Sequence, residues 1–219
     1  PAEGRVTAVC DCYAPRMAGT LKPEAGSQNA RVLSHFLEHD AARCTTYGDY
    51  RRMLDEAALD AVIIATPDHH HVQAAMLACQ AGLDVYCEKP LTLTIAEGQR
   101  LIQAVRNHRR VLQVGSQQRS MEMDRFACQF VRDGKLGRVS HVELPIWASP
   151  LRYQDLPEEP LPEGMEWELF CGPTELRPYN WRLWQKDERN WEGKRWRGWD
   201  MWRDYSGHLV TNWGAHAVD

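Results

Sequence analysis

An apolar run between Asp60 and Pro67, with the sequence DAVIIATP, restricts the fold more than any other feature of the chain. The run is short and rich in β-branched residues, which is typical of a strand covered on both faces in a parallel sheet. A helix-like segment follows over residues 69–82, with Asp68 as the expected N-cap and Gly82 as its stop. The next strand-like segment, DVYCE at residues 84–88, comes directly after it. These segments together predict a right-handed βαβ unit.

The same alternation of strand and helix extends to both sides of this unit. Further strands are predicted over 5–11 and 110–116, and helices over 28–40, 49–57 and 94–108, the last with a Thr94–Glu97 capping box. The fold class is therefore α/β with a parallel sheet. A helix over 123–137 and a strand over 138–148 are expected next, before a segment rich in proline, tryptophan and charge.

Composition excludes several classes of protein. The formal net charge of −4 gives no reason to expect nucleic acid or an anionic membrane as a partner. No apolar run approaches the roughly 20 residues that span a bilayer. The first residues, PAEGRVTAVCD, do not resemble a signal peptide, and the seven cysteines include no Cys-x-x-Cys pair. We therefore expect a reducing, cytoplasmic compartment without structural disulfides or zinc.

The candidate ligand-binding residues are those that follow each strand, because the carboxyl ends of parallel strands meet at the ligand-binding edge of the sheet. Asp11 follows the first strand, where a dinucleotide-binding fold places the acid that holds the adenosine ribose, although a turn cap would also explain it. Thr66 and Pro67 follow the second predicted strand, and Gln117 follows the last. A Gly-x-Gly-x-x-Gly loop is not found in the chain.

Glu88, Lys89 and Pro90 stand where the strand 84–88 ends. Proline pushes the preceding residue towards extended conformations, so Lys89 emerges on a stiff support. Its amine can donate a hydrogen bond to a reacting hydroxyl or accept its proton. A surface ion pair with Glu88 explains the same residues equally well.

Two other stretches suggest ligands that we consider less favoured. The three consecutive histidines 69–71 fan out by about 100° per residue on a helix and cannot converge on one ion, so no metal site is predicted. All nine tryptophans lie after position 146, among interleaved acids and bases. That pattern favours core packing, a sugar pocket or a domain contact over nucleic acid binding.

The last residues, TNWGAHAVD, place Asn212 and His216 four positions apart, on one face of a helical turn. An imidazole can take up and return a proton near neutral pH, which makes His216 a candidate acid/base. A structural histidine is the alternative.

Taken together, the stretches AVCD, VIIATPDHHH, GLDVYCEKPLTLTIAEGQRLI, LQVGSQQRS and TNWGAHAVD resemble the Gfo/Idh/MocA family of oxidoreductases. The resemblance runs from about Arg5 to Asp219 and is greatest to members from bacteria that degrade complex carbohydrates. It implies a Rossmann-type doubly wound sheet over residues 1–118 that lacks its first strand and glycine loop. It also implies the start of an incomplete α/β domain over residues 119–219.

The resemblance further implies hydride transfer between NAD, or alternatively NADP, and a carbinol carbon of a sugar or cyclitol in a homo-oligomer. By the same resemblance Lys89 and His216 act at the substrate, with Asn212 where many members have an aspartate. The implied cofactor-binding residues are Asp11, Thr66, Pro67, His71, Glu88, Lys89 and Gln117. A glycosidase that oxidises its substrate transiently with NAD, and a non-catalytic sugar- or cofactor-binding relative, are the alternatives. The asparagine favours the latter, because it cannot stabilise an imidazolium as a carboxylate would.

Overall fold

The computed structural model describes residues 4–145, 150–184 and 198–218. Among these residues, five short strands lie between positions 8 and 115: β1 (Ala8–Cys10), β2 (Thr45–Tyr47), β3 (Ala61–Ile64), β4 (Asp84–Glu88) and β5 (Leu112–Gly115). The described α-helices up to residue 132 are α1 (Ala14–Leu21), α2 (Gln28–Val32), α3 (Ser34–His39), α4 (Tyr50–Glu56), α5 (Asp68–Gln80), α6 (Ile95–His108) and α7 (Glu122–Arg132). In the described part beyond it, short α-helices are α8 (Trp167–Cys171), α9 (Leu209–Asn212) and α10 (Gly214–Ala217).

Every strand pairing is parallel, but the strands form two sheets and not the single sheet that the sequence predicts. β1 pairs with β2, and β3, β4 and β5 form a second sheet in that order. In the doubly wound order 3-2-1-4-5-6 these strands occupy positions 3-2 and 4-5-6, and no described strand occupies the position between β1 and β3. The two sheets are therefore the two flanks of a Rossmann-type sheet.

The run at residues 61–64 is a strand, but it is not covered on both faces as predicted. Val62 and Ile64 are buried, whereas Ile63 is 76% exposed. Alternate side chains point to opposite faces of the sheet: Val62 and Ile64 pack against α5, whereas Ile63 points to the other face and lines a cavity.

The core of the first half lies between β3, β4 and two helices. The inward side chains of β4, Val85 and Cys87, pack against Ala75 and Ala78 of α5 and Leu101 of α6. Helix α6 begins at the predicted capping box, because Thr94 accepts from the Glu97 amide and the Glu97 carboxylate accepts from the Thr94 amide. Helix α5 differs by one residue from prediction: Pro67 is its N-cap and Asp68 is its first residue.

A second core lies in the later part of the chain and is rich in aromatic side chains. Trp167 stacks on Phe170 with ring centroids 4.9 Å apart, and Trp184, Trp202 and Tyr205 are buried in the same cluster. Core packing thus explains most of the described tryptophans. The predicted strand over 138–148 is wrong for residues 138–145, which form no regular secondary structure, and residues 146–149 lie outside the described part.

The aromatic core rests on the first half at two places. Tyr13, just after β1, forms an antiparallel bridge with Met165, and its ring lies edge-on to Trp184. His69 and His70 at the start of α5 both contact the carbonyl oxygen of Phe170 through Nε2 at 2.8 Å. These contacts bring the later segment over the carboxyl ends of β1 and β3.

Candidate active site

Lys89 follows β4 directly and contacts a residue 123 positions further along the chain. Its Nζ donates to the side-chain oxygen of Asn212 and lies 3.4 Å from the Asn212 carbonyl oxygen. An amide oxygen is uncharged, so the ammonium group is held without being neutralised. Packing has therefore paired Lys89 with Asn212, and the alternative of a simple surface ion pair with Glu88 is not what the structure shows.

Glu88 and Gln117 form a second contact at the same edge of the sheet. Gln117 Nε2 donates to Glu88 Oε1 at 2.6 Å, while Glu88 Oε2 accepts from the Lys89 amide at 3.3 Å. The parallel register pairs Glu88 with Gly115. A Cβ atom at Gly115 would lie 3.1 Å from Glu88 Oε1, so glycine leaves space for this carboxylate.

His71 joins the turns that follow β3 and β4. Its Nδ1 lies 2.7 Å from the Pro90 carbonyl oxygen and its Nε2 lies 2.9 Å from the Thr66 carbonyl oxygen. Burial lowers the pKa of His71, and a neutral imidazole donates to only one of these two oxygens. The side chain of His71 therefore ties the Thr66 turn to the Lys89–Pro90 turn.

A cavity of about 780 Å³ opens between the two sheets. Asp11, Thr66 and Pro67 line it, together with residues of β1, β3 and the aromatic segment. Lys89, Glu88 and Gln117 are not part of its lining. The predicted site residues thus form two neighbouring groups, linked by His71, and do not all border one cleft.

The Asp11 carboxylate lines this cavity and already accepts hydrogen bonds from two neighbouring groups. Its Oδ1 accepts from the Tyr13 amide at 2.8 Å, and its Oδ2 accepts from Arg16 Nη1 at 3.1 Å. The Arg16 guanidinium also lies 5.8 Å from the ring centroids of both Tyr13 and Trp184. A carboxylate and a guanidinium are therefore available at the same end of the cavity.

Thr66 and two cysteines complete the chemical character of the cavity. The Thr66 hydroxyl is buried and has no hydrogen-bond partner among the described residues. Burial raises the pKa of Cys10 to about 12 and that of Cys12 to about 11, so both remain thiols and neither serves as a thiolate nucleophile. An unsatisfied hydroxyl and the Asp11 carboxylate are donors and acceptors that suit the hydroxyl-rich ribose of a dinucleotide.

His216 lies in α10, one short helix after Asn212. Their helices follow each other with only Trp213 between, and the His216 amide donates to the Trp213 carbonyl. Its imidazole Nδ1 is buried and has no hydrogen-bond partner among the described residues. Asn212 thus reaches Lys89, whereas the role of His216 stays a prediction.

Asp68, which was expected as the cap of α5, and Ser206, which the sequence analysis did not single out, are further polar residues at this edge. Both are buried, and Ser206 Oγ donates to Asp68 Oδ2 at 2.6 Å. Burial raises the pKa of Asp68 to about 7, and the Ser206 hydrogen bond and Lys89 oppose that rise. Asp68 had a sufficient local explanation as a helix cap, so only the fold could show its partner.

The other two histidines of this run, His69 and His70, differ from His71 in their contacts. His69 and His70 bind the Phe170 carbonyl oxygen, and His70 also lines the cavity. Burial lowers the pKa of His69 to about 3, so this side chain is neutral. No group of three or more potential metal ligands is present among the described residues.

Residues 21–116 match the family model described as "Oxidoreductase family, NAD-binding Rossmann fold", the Gfo/Idh/MocA family. Over these residues the chain is similar to the Gfo/Idh/MocA oxidoreductase family. The match begins at the last residue of α1 and runs through β5, which includes Thr66, Pro67 and the Glu88–Lys89–Pro90 turn. The fold predicted from the sequence and its NAD-binding character are thereby confirmed.

Curated relatives in this family include dehydrogenases of a sugar and of a cyclitol. The chain is 36% identical over 84 residues to "D-xylose 1-dehydrogenase (NADP(+))" of Hypocrea jecorina, which is 37% of this chain and 22% of that protein. It is 31% identical over 115 residues to "Inositol 2-dehydrogenase" of Salmonella paratyphi B, which is 52% of this chain and 30% of that protein. The chain therefore matches less than a third of the length of either Gfo/Idh/MocA relative.

Among solved structures, myo-inositol 2-dehydrogenase from Lactobacillus plantarum is similar at 25% sequence identity and a TM-score of 0.45. The alignment covers 63% of this chain and 43% of that one. No helix in the described part of this chain is both long and apolar enough to cross a membrane.

Proposed function

We propose that the protein transfers a hydride between a nicotinamide cofactor and a carbinol carbon of a sugar or cyclitol. The observation that carries the proposal is the Lys89–Asn212 contact, which holds an ammonium group and an amide at the end of β4, and His71 links this turn to the Thr66 turn that lines the cavity. The two curated relatives, which act on xylose and inositol by name, support this substrate class.

In this proposal each site residue has a distinct task. The Lys89 ammonium donates a hydrogen bond to the carbinol oxygen, where negative charge develops as the hydride leaves. His216 takes the hydroxyl proton in the oxidative direction and returns it in the reductive direction. Asn212 holds Lys89 and can accept from a neighbouring substrate hydroxyl. The bound nicotinamide supplies the hydride acceptor or donor.

The cofactor residues favour NAD in this proposal. Asp11 can accept hydrogen bonds from ribose hydroxyls, whereas its charge repels a 2′-phosphate. Arg16 lies in contact with Asp11 and is the group that would receive that phosphate in NADP. Thr66, Pro67, Glu88 and Gln117 complete the cofactor set, and His71 supports it by fixing the Thr66 turn.

A non-catalytic relative that binds sugar or cofactor is the second candidate. Asn212 favours it, because its oxygen occupies a hydrogen bond of the Lys89 amine that substrate would otherwise use. A cytoplasmic homo-oligomer with a small-molecule sugar or cyclitol as its partner is part of the first proposal.

The test is whether the full-length protein reduces NAD with xylose or myo-inositol as substrate. The reaction is monitored by the absorbance of the NADH formed. Lys89→Ala should abolish most turnover and Lys135→Ala, an exposed lysine in the chain after α7, should leave it unchanged. Binding of NADH without turnover on any sugar or cyclitol would favour the non-catalytic candidate. Release of free sugar from a nitrophenyl glycoside, with NAD present and no net NADH formed, would favour the glycosidase.

A further inference from the structure

Asp68 is a buried carboxylate outside the lining of the cavity. It begins α5, directly after the Thr66–Pro67 turn, and is 4% exposed. Its side chain accepts a 2.6 Å hydrogen bond from Ser206, a residue 138 positions later. A charged group of this kind is costly to bury, so its position needs an explanation beyond helix capping.

Ser206 connects Asp68 to the residues that follow it in the chain. Its hydroxyl oxygen also accepts from the His208 amide at 3.0 Å, and Ser206 is 1% exposed. His208 has a φ of 55°, a left-handed conformation that costs energy in a residue with a side chain. Its Nδ1 lies 3.0 Å from the Asp200 carbonyl oxygen, which further fixes the turn.

The turn at His208 sets the direction of the next helix. Helix α9 begins at Leu209 and ends at Asn212, whose side chain accepts from Lys89. Residues 206–212 are therefore fastened to the sheet edge at both ends, by Asp68 after β3 and by Lys89 after β4. β3 and β4 are adjacent parallel strands, so both attachment points belong to one rigid edge.

We propose that Asp68 is a positioning residue that, through Ser206, fixes residues 206–212 so that Asn212 meets Lys89. Asp68 touches neither the cavity nor the proposed reacting atoms; it acts through the hydroxyl of Ser206 and the turn at His208. The catalytic consequence rests on the proposed function, whereas the positioning itself does not.

The positioning is tested by hydrogen–deuterium exchange of the backbone amides of residues 209–213. Ser206→Ala and Asp68→Ala should each speed this exchange by about tenfold, because a buried hydrogen bond is lost at one attachment point. Asp68→Asn should restore most of the protection, since its carboxamide oxygen can still accept from Ser206. Ser27→Ala, which removes the hydroxyl that caps α2, is the matched control and should leave these amides unchanged.

The functional consequence is tested by the kinetics of the full-length protein. Ser206→Ala should lower kcat and leave NADH affinity unchanged, and its effect should be less than additive with Asn212→Ala, because both changes disturb one contact. Unchanged exchange at residues 209–213 in Ser206→Ala overturns the positioning role, and that variant decides the matter even if Asp68→Ala does not fold. If no substrate turns over, the proposed function fails, and the exchange result still decides whether Asp68 positions this segment.

Discussion

Replacing Asp68 with asparagine should make the chain more stable at pH 8, and the gain should shrink as the pH falls. Burial raises the pKa of Asp68 from its ordinary 3.8 to about 7 in the folded chain. The folded state therefore binds this proton more tightly than the unfolded state does. The stability linked to Asp68 is fully present below about pH 4 and is lost as the pH rises through about 7.

The size of the effect follows from the two pKa values. Each pKa unit corresponds to about 1.4 kcal/mol, so the rise from 3.8 to about 7 is worth about 4 kcal/mol in total. In the unfolded chain the Asp68 carboxyl is already mostly ionised at pH 5. About 3 kcal/mol of the stability linked to Asp68 is therefore lost between pH 5 and pH 8. Asparagine does not titrate, and its oxygen can still accept from Ser206. The difference in unfolding free energy between variant and parent should therefore grow by about 3 kcal/mol over this range.

Urea unfolding followed by tryptophan fluorescence, at pH 5 and pH 8, measures this difference. Burial also lowers the pKa of His69, His70 and His71, but their contribution is common to both proteins and cancels. Asp49→Asn is the matched control: its hydrogen bond with Arg51 lowers the pKa of Asp49, so its contribution is lost only on acidification below about pH 4. The reasoning would be refuted if the unfolding free energy of Asp68→Asn minus that of the parent stays constant or falls from pH 5 to pH 8.

Four further predictions concern cofactor, catalysis and a helix cap. Lys89→Ala should reduce turnover far more than NADH affinity, as kinetics and fluorescence titration would show; equal losses would place the amine at the cofactor alone. His216→Ala should reduce turnover by about 10²–10⁴-fold, the usual contribution of a positioned acid/base, and full retained activity would exclude that role. The full-length protein should bind NADH more tightly than NADPH, and Arg16→Ala should widen the gap; equal titrations of the two would contradict the role of Asp11. Thr94→Ala should cost about 1 kcal/mol in urea unfolding because it removes the α6 N-cap, and no loss of stability would show that the cap contributes nothing.

Local features of the chain were predictable because their causes lie within a few residues. The strand at residues 84–88 and the capping box of Thr94 and Glu97 are confirmed as predicted. Gly82 ends the α5 segment with a φ of 84°, a conformation that favours glycine. The Glu-Lys-Pro turn was found for the same reason: a strand end, a charged pair and a proline are adjacent in sequence.

Predictions failed where neighbours distant in the chain decide the environment. The pattern of residues 61–64 predicts burial on both faces, but the exposure of Ile63 depends on which elements pack on its face of the sheet. The stretch at 138–145 has strand-like composition and forms no strand, because a strand needs a partner as well as propensity.

The sequence by itself determined the α/β alternation, the resemblance to the Gfo/Idh/MocA family and the identity of the residues at the carboxyl edge of the strands. Periodicity, caps and turn residues act over short distances, so they can be recognised in one dimension. Only the tertiary structure decided that Asn212 holds Lys89 and that Ser206 holds Asp68, across 123 and 138 residues. The physical reason is that such contacts, and the burial that raises the pKa of Asp68, arise from the packing of the aromatic segment on the sheet edge, which no local pattern encodes.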